Sequence, residues 1–144
     1  MGKTKNSLAK VPSISWEAEL TDKFKRHDAT VAVLGLGYVG LPVLKEFCLG
    51  GFSAQGYDID EAKIDSLRKG KTYLNTVDET WISEGLKEKT LRVSADFSRL
   101  MEADAIIACV PTPLDSHRQP DLSFVEKTAQ SIAKTLRPGQ LIIF

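Results

Sequence analysis

Three glycines at fixed spacing form the feature of this sequence that could bind a phosphate group. Gly35, Gly37 and Gly40 stand in the string GLGYVG, between an apolar stretch and a run with helical periodicity. Gly35 permits a tight turn, Gly37 has no Cβ to block a diphosphate, and Gly40 lets a helix pack closely on a strand. The free N–H groups at the start of that helix would then bind the diphosphate of a dinucleotide. The alternative is a glycine turn that binds no ligand.

A carboxylate lies where such a dinucleotide would place its ribose. Asp58 follows Gly40 by 18 residues and ends a second predicted strand, where the dinucleotide-binding pattern has an acidic side chain on the ribose hydroxyls. This carboxylate would repel a 2′-phosphate, and Ile59 stands where a 2′-phosphate site could place arginine, so we predict NAD rather than NADP. Lys63 could reach the ribose or neutralise Asp58. The alternatives are that Asp58 only caps a turn and that Lys63 is solvated.

Two prolines follow the fourth predicted strand, in the string Val110-Pro111-Thr112-Pro113. The carboxyl end of this strand should face the same crevice as the glycine loop. Because proline fixes the backbone and removes N–H donors, the segment could form a stiff wall beside a cofactor. It could equally be a simple strand terminator.

Other reactive side chains have simpler explanations. Cys48 and Cys109 stand in apolar runs without a CxxC spacing or a histidine pair, so we interpret them as buried residues of a protein in the reducing cytoplasm. We interpret His27 and His117 as surface residues, and Tyr38 as either a cofactor contact or a packing residue. The sequence predicts no metal site and no catalytic residue.

Strand-like and helix-like segments alternate between these candidate residues. Short apolar runs predict parallel strands that are buried on both faces, and apolar residues three and four apart predict helices. Five strands are predicted, at Thr30–Leu34, Ser53–Asp58, Leu91–Ser94, Ala105–Val110 and Gln140–Phe144. Right-handed crossovers then give an α/β, doubly wound (Rossmann) parallel sheet in the order 3-2-1-4-5, incomplete at its carboxyl-terminal end.

Capping residues predict where the helices begin. Asp60 and Asp78 should each cap a helix, and Ser123 with Glu126 matches the S-x-x-E capping box. The helix after Ser123 should present one apolar face, formed by Val125, Ala129, Ile132 and Leu136. Each of these predictions depends only on local spacing.

The amino-terminal segment precedes this alternation. Residues 1–13 are polar and basic and lack the apolar stretch of a signal peptide, so we predict a disordered leader. Apolar residues recur at helical spacing over 16–24, after Ser13 or Ser15, either of which could cap a short amphipathic helix.

The composition limits the classes of partner. The 144 residues carry 19 basic and 19 acidic side chains, and 42% are hydrophobic. A zero net charge favours neither nucleic acid nor an anionic membrane, and no apolar run approaches the ~20 residues of a membrane span. We divide the chain into a leader with a short helix (1–28) and one dinucleotide-binding domain (29–144).

Three strings resemble the NAD-binding domain of the UDP-glucose/GDP-mannose dehydrogenase family. They are VAVLGLGYVGLPVLKEF, YDIDEAKI and ACVPTPLDSHRQPDLSFVE. The resemblance runs from about residue 29 to 144. Within that family, the loop after VPTP, with its run RQPDLS, resembles UDP-N-acetylglucosamine 6-dehydrogenases.

The resemblance implies a cofactor, a substrate class and a reaction. It implies that the full-length protein takes hydride twice from C6 of a UDP-sugar with NAD, and gives a uronic acid through a cysteine-bound intermediate. Tyr38 and Val39 would offer backbone N–H groups to the diphosphate, and Val110 and Thr112 would lie along the cofactor. The adenosine ribose would be held by Asp58 together with the lysine five residues later.

The resemblance also implies what these residues leave to other parts of the protein. Family members continue into a linking helix and a sugar-binding domain that holds the nucleophilic cysteine, and they commonly pair as homodimers through those parts. Neither Cys48 nor Cys109 matches the nucleophile's motif, so this chain should bind cofactor without catalysing. Without the next strand and the linking helix, we expect exposed apolar surface.

Two alternatives stay open. A β-hydroxyacid or 6-phosphogluconate dehydrogenase resembles G-x-G-x-M-G in place of GLGYVGLP and lacks VPTP, and a non-enzymatic NAD-binding module would show no turnover. Among sugars, UDP-N-acetylglucosamine is favoured, ahead of UDP-glucose, UDP-N-acetylmannosamine and GDP-mannose.

Overall fold

The computed structural model describes residues 15–144 and contains one five-stranded parallel sheet in the order β3-β2-β1-β4-β5. The strands are β1 Thr30–Leu34, β2 Ser53–Tyr57, β3 Leu91–Ser94, β4 Ala105–Ala108 and β5 Leu141–Ile143. The helices are α1 Trp16–Lys25, α2 Gly40–Leu49, α3 Glu61–Arg68, α4 Thr80–Glu88 and α5 Ser123–Ala133, with a 3-10 helix at Phe97–Glu102. The predicted doubly wound fold and strand order are confirmed.

The central strand β1 divides the hydrophobic core into two layers. Successive strand residues point to opposite faces, so Val33 packs with α2, α3 and α4 on one face. Ala32 and Leu34 pack on the other face with the 3-10 helix and with Ile132 of α5. Both faces are buried, which explains why β1 is a continuous apolar run.

The strand order reverses beside β1, which pairs with β2 on one side and with β4 on the other. In doubly wound sheets, the crevice at the carboxyl ends of the strands next to such a reversal is where ligands bind. The glycine loop, residues 35–40, leaves β1 at this point and leads directly into α2.

A buried aspartate joins α1 to the end of the sheet where its strands begin. Asp104, 5% exposed, accepts hydrogen bonds from Lys23 Nζ at 2.8 Å, from the Thr30 N–H at 2.9 Å and from Arg137 Nη2 at 3.0 Å. Burial alone would raise the pKa of Asp104, but these hydrogen bonds outweigh it and hold the pKa below its usual value. The helix therefore packs on the domain that follows it, with Trp16 against Gly139.

The predicted cap of α1 is Ser15, whose hydroxyl accepts the Ala18 N–H. Ser13, the other candidate, and the predicted disordered leader fall within residues 1–14, which lie outside the described part of the chain. The predicted Asp60 cap of α3 is confirmed, since its carboxylate accepts N–H groups from Ala62 and Lys63.

Two predicted helix caps were wrong by one residue. Helix α4 begins after Glu79, although Asp78 still accepts the Thr80 N–H at 2.8 Å. Helix α5 begins after Leu122, and its first N–H group, that of Ser123, donates to the Asp121 carboxylate. Aspartate two residues ahead replaces the predicted capping box, because its carboxylate can accept a backbone N–H two residues on.

Strand ends and side-chain environments differ from the prediction at several positions. β2 and β4 end one and two residues early, so Cys109 follows the strand instead of lying within it, and both cysteines are half-buried free thiols. Leu136 lies beyond the end of α5 and is exposed, whereas Ile132 is the buried residue of that helix. His27 is exposed as predicted, but it stacks on Phe52 with ring centroids 4.6 Å apart.

Ala129, also predicted for the apolar face of α5, is exposed too. Within residues 15–144, none of the helices has the length and apolar content needed to cross a membrane.

Candidate functional site

The outer two glycines of the loop are required by its own packing. Gly35 has φ +85°, and a Cβ there would lie 2.5 Å from the Cys109 carbonyl oxygen. A Cβ on Gly40 would overlap the Gly35 carbonyl oxygen, so the first turn of α2 lies directly on the loop. The close packing predicted at Gly40 is therefore packing of helix on loop and on Cys109, at the end of β4.

The middle glycine faces open space. A Cβ on Gly37 would meet no atom within 4 Å, so nothing inside the domain requires glycine here. In residues 15–144, the backbone N–H groups of Gly37, Tyr38, Val39 and Gly40 donate no hydrogen bond. Unpartnered N–H groups at the start of a ten-residue helix attract an anion, and only a residue without a side chain leaves the space for it.

Asp58 lies at the carboxyl end of β2 and points to the loop. Its Oδ2 accepts the Leu36 N–H at 2.8 Å and lies 3.2 Å from Lys63 Nζ, and its Oδ1 accepts the Asp60 N–H at 3.0 Å. A carboxylate has about four acceptor positions, so three protein donors leave one for a ligand hydroxyl. The side chain is nearly buried, yet it lines an open cavity.

The cavity lies between the end of β2, the end of β4 and helix α5. Its volume is about 700 Å³, within the range of small-molecule sites. The walls are formed by Leu34, Gly35, Asp58, Ile59, Asp60, Glu61, Lys63, Ala95, Phe97, Val110, Pro111, Phe124, Lys127, Thr128 and Ser131. Both apolar surface for a planar base and polar groups for a ribose are therefore present.

Four of the nine predicted cofactor-binding residues line this cavity: Gly35, Asp58, Lys63 and Val110. The remaining five do not form its walls. Gly37, Tyr38, Val39 and Gly40 form the adjoining loop and helix start, where the side chains of Tyr38 and Val39 are 80% and 66% exposed. Their predicted contribution is through the backbone, which this exposure permits.

Thr112 lies outside the cavity wall, on an exposed loop. Residues 111–120 are exposed throughout, and the loop closes through a bridge between Leu114 and Pro120. Pro111 reaches the cavity wall, so the first proline after β4 contributes to the site, as the stiff-wall interpretation requires.

One face of α5 was not anticipated as part of the site. Phe124, Lys127, Thr128 and Ser131 all line the cavity. Their spacing of three, four and seven residues from Phe124 places them on one face of the helix. The signal was present in the sequence as a mixed polar stripe beside the apolar one that we did identify.

Tyr73 was also missed. Its hydroxyl donates a 2.5 Å hydrogen bond to the carbonyl oxygen of Leu36, the second residue of the glycine loop. Burial, with added contributions from the charges of Asp58 and Asp60, raises the pKa of Tyr73 well above its usual value, so the hydroxyl stays protonated and donates. Tyr73 stands in an irregular segment, and no local pattern connects it with a residue 37 positions earlier.

Cys109 lies near the loop but does not have the properties of a nucleophile. Burial raises the pKa of its thiol above the ordinary value, and the thiolate is the reactive form. The cluster of charged groups at the cavity, with two lysines and three acidic residues in its wall, fits ligand binding better than covalent chemistry.

The arrangement fits a dinucleotide in its individual parts. The unpartnered N–H groups beside Gly37 could bind an anion, Asp58 could accept from a hydroxyl, and the cavity beyond it has apolar walls that could hold a base. These are the three contacts of a diphosphate, a ribose and a base in a doubly wound domain.

Comparison with known proteins agrees with this geometry. Residues 29–144 match the model of the UDP-glucose/GDP-mannose dehydrogenase family, NAD binding domain. The chain is 38% identical over 117 residues to a UDP-N-acetyl-D-glucosamine 6-dehydrogenase of Pseudomonas aeruginosa, covering 81% of this chain and 27% of the relative. It is 34% identical over 116 residues to a UDP-N-acetyl-D-mannosamine dehydrogenase of Escherichia coli K12, covering 80% and 27%.

A solved structure shows the same fold. The UDP-D-ManNAc dehydrogenase from Pyrococcus horikoshii superposes with a TM-score of 0.73 at 32% sequence identity, over 78% of this chain and 27% of that one. The chain spans about a quarter of the length of the relatives it matches.

Proposed function

Because this chain belongs to the UDP-glucose/GDP-mannose dehydrogenase family, of which it forms the NAD-binding domain, we propose that the protein it is part of oxidises a nucleotide sugar. The reaction converts the C6 hydroxyl of a UDP-sugar to a carboxylate in two steps. NAD, when bound, supplies the hydride acceptor for each step. The sugar is UDP-N-acetylglucosamine, a choice supported by the loop after VPTP and by the 38% identity to a UDP-N-acetyl-D-glucosamine 6-dehydrogenase.

One observation carries the assignment of the site. The Asp58 carboxylate reaches the glycine loop, at Leu36, while the space over Gly37 stays open. Gly35, Gly37, Tyr38, Val39 and Gly40 form the diphosphate site, with the N–H groups from residue 37 onward as donors. A site built in this way holds the cofactor through backbone groups, and it therefore tolerates varied side chains at the exposed positions.

The remaining proposed cofactor contacts lie in two regions, one at the end of β2 and one on the segment after β4. Asp58 accepts a hydrogen bond from the adenosine ribose, and Lys63 holds that carboxylate in place and adds a donor. Val110 and Thr112 lie along the cofactor, on the segment that leaves β4. We assign this chain the role of orienting the cofactor, and the raised pKa of the Cys109 thiol argues against that residue as the nucleophile.

The test is NAD reduction by the full-length protein with a panel of UDP-sugars and GDP-mannose. We expect two equivalents of NADH per sugar, with UDP-N-acetylglucosamine oxidised fastest. One equivalent per sugar would contradict a C6 carboxylate product. Binding of NAD without turnover of any sugar would indicate a non-enzymatic NAD-binding module instead.

Two further properties belong to this proposal. The full-length protein forms a homodimer, and light scattering after size-exclusion chromatography tests this. It works in the cytoplasm, an assignment supported by two cysteines that are both free thiols, as in a reducing compartment. Localisation of a tagged full-length protein tests that assignment.

A further inference from the structure

The two peptide groups that flank Leu36 are each held by a side chain from elsewhere in the chain. The Leu36 N–H, part of the Gly35–Leu36 peptide, donates to Asp58 Oδ2 at 2.8 Å. The Leu36 carbonyl, part of the Leu36–Gly37 peptide, accepts from the Tyr73 hydroxyl at 2.5 Å. The first contact involves a predicted cofactor residue, whereas the second involves a residue to which the proposed function assigns no role.

The Leu36–Gly37 peptide carries the first of the free N–H groups in the diphosphate site. A trans peptide is planar, so its carbonyl and its N–H point in opposite directions. With the carbonyl oxygen held toward Tyr73, the Gly37 N–H is directed away from Tyr73. The orientation of one group therefore fixes the orientation of the other.

Glycine makes this particular peptide easy to rotate. Gly37 accepts backbone angles that other residues rarely adopt, and no atom lies within 4 Å of the position of its Cβ. Rotation of the peptide would turn its carbonyl oxygen to the side where its N–H had pointed, and that oxygen would repel a diphosphate. The loop therefore needs a restraint that the glycine itself cannot supply.

From these contacts, and resting on the proposed function, we propose that Tyr73 is a positioning residue that keeps the Leu36–Gly37 peptide with its N–H toward the cofactor diphosphate. Leu36 is 0% exposed as a whole residue, backbone included, so without the Tyr73 hydroxyl no water replaces the lost hydrogen bond to its carbonyl. A buried carbonyl without a hydrogen bond is unfavourable, and rotation would relieve it. Tyr73 acts through the loop and does not touch the cofactor.

The test compares two tyrosine-to-phenylalanine variants of this chain by calorimetric titration with NAD. Tyr73→Phe removes the hydroxyl but keeps the ring beside Lys63, whose Nζ lies 5.9 Å from the ring centroid. Tyr57→Phe is the matched control, because the Tyr57 hydroxyl also donates one hydrogen bond, to Gln55 Oε1 at 2.9 Å, away from the loop. We expect Tyr73→Phe to weaken NAD binding roughly 2- to 10-fold, the effect of losing one hydrogen bond, and Tyr57→Phe to leave it unchanged.

A second measurement reads the peptide itself. In ¹⁵N-labelled protein without NAD, the Gly37 amide resonance should shift in Tyr73→Phe and stay in place in Tyr57→Phe, since only the first loses the hydrogen bond to the preceding carbonyl. Wild-type affinity in Tyr73→Phe, or equal losses in both variants, would overturn the positioning role while leaving the proposed function intact. Failure of the unmodified chain to bind NAD would overturn the proposed function and this inference with it.

Discussion

At the scale of single residues, the three glycines of one motif are under two different physical constraints. Gly35 and Gly40 are required by contacts within the protein, because a Cβ at either would meet backbone atoms. A Cβ at Gly37 would meet no atom within 4 Å other than its chain neighbours, so we propose that the requirement for glycine here comes from the ligand. Substitutions at these positions therefore separate folding from binding.

We predict that Gly37→Val leaves the domain folded and abolishes detectable NAD binding. The valine Cβ would meet no atom within 4 Å other than its chain neighbours, so the fold accommodates it, but the side chain would occupy the proposed site of the diphosphate. Gly40→Ala is the contrasting variant, and it should lower the melting temperature because its Cβ overlaps the Gly35 carbonyl oxygen. Calorimetric titration and thermal denaturation measure the two effects, and unchanged NAD affinity in Gly37→Val would refute the diphosphate site.

At the scale of elements, α1 and the start of β5 are joined through one buried carboxylate. Asp104 binds Lys23 of α1, the first residue of β1 and Arg137 in the turn before β5. Arg137 also donates to the carbonyls of Met101 and Ala103. This network stabilises the end of the sheet where the strands begin, which lies opposite the proposed cofactor crevice.

We predict that Asp104→Asn lowers the free energy of unfolding at pH 7 by about 1.5–3 kcal/mol, the range for a hydrogen bond to a charged group. The pKa of Asp104 is depressed in the folded state. Its contribution is therefore fully present above the unfolded-state value of about 3.9 and is lost as the pH falls below it, through the folded pKa. Urea unfolding at several pH values measures this.

The control for that experiment is Asp28→Asn, whose carboxylate pairs with Arg26 on the surface and should contribute little. The two unfolding curves, for wild type and Asp104→Asn, should converge at acidic pH. A difference that persists unchanged to low pH would contradict the ionic origin of the effect.

The sequence predicted what depends on local spacing and missed what depends on distant contacts. β1, β3 and the glycine loop were correct because apolar runs and glycine spacing are local properties. Tyr73 was missed because its partner is 37 residues away. The predicted end of β4 was wrong because the apolar run continues through Cys109 and Val110, past Ala108, the last residue in register with β1. The predicted end of β2 was wrong by one residue, since the register with β1 ends at Tyr57, before the charged Asp58.

At the scale of the whole molecule, we propose that one carboxylate sets the cofactor identity in a chain of zero net charge. Asp58 would accept hydroxyl donors and repel a 2′-phosphate, and Asp60 and Glu61, which line the same cavity, would add to the repulsion. Lys63 is already paired with Asp58, which limits its attraction for a phosphate. The global charge offers no compensating attraction.

We predict that NAD raises the melting temperature of this chain and that NADP at the same concentration raises it much less. A ligand at 100 times its Kd stabilises the folded state by about 2.7 kcal/mol, which corresponds to a shift of several degrees for a domain of this size. Thermal denaturation with each cofactor measures the difference. An equal or larger shift with NADP would contradict the role of Asp58.

Leu36 lies in the glycine loop with its backbone and in the hydrophobic core with its side chain. A Cβ added at Gly56, the fourth residue of β2, would lie 3.1 Å from Leu36 Cδ1 and 2.6 Å from Leu44 Cδ2. A random-mutagenesis screen for altered NAD affinity should therefore recover substitutions far inside the domain, at positions that no ligand touches. The affinity for NAD can therefore be altered, by natural selection or by engineering, through substitutions in the hydrophobic core that support the loop.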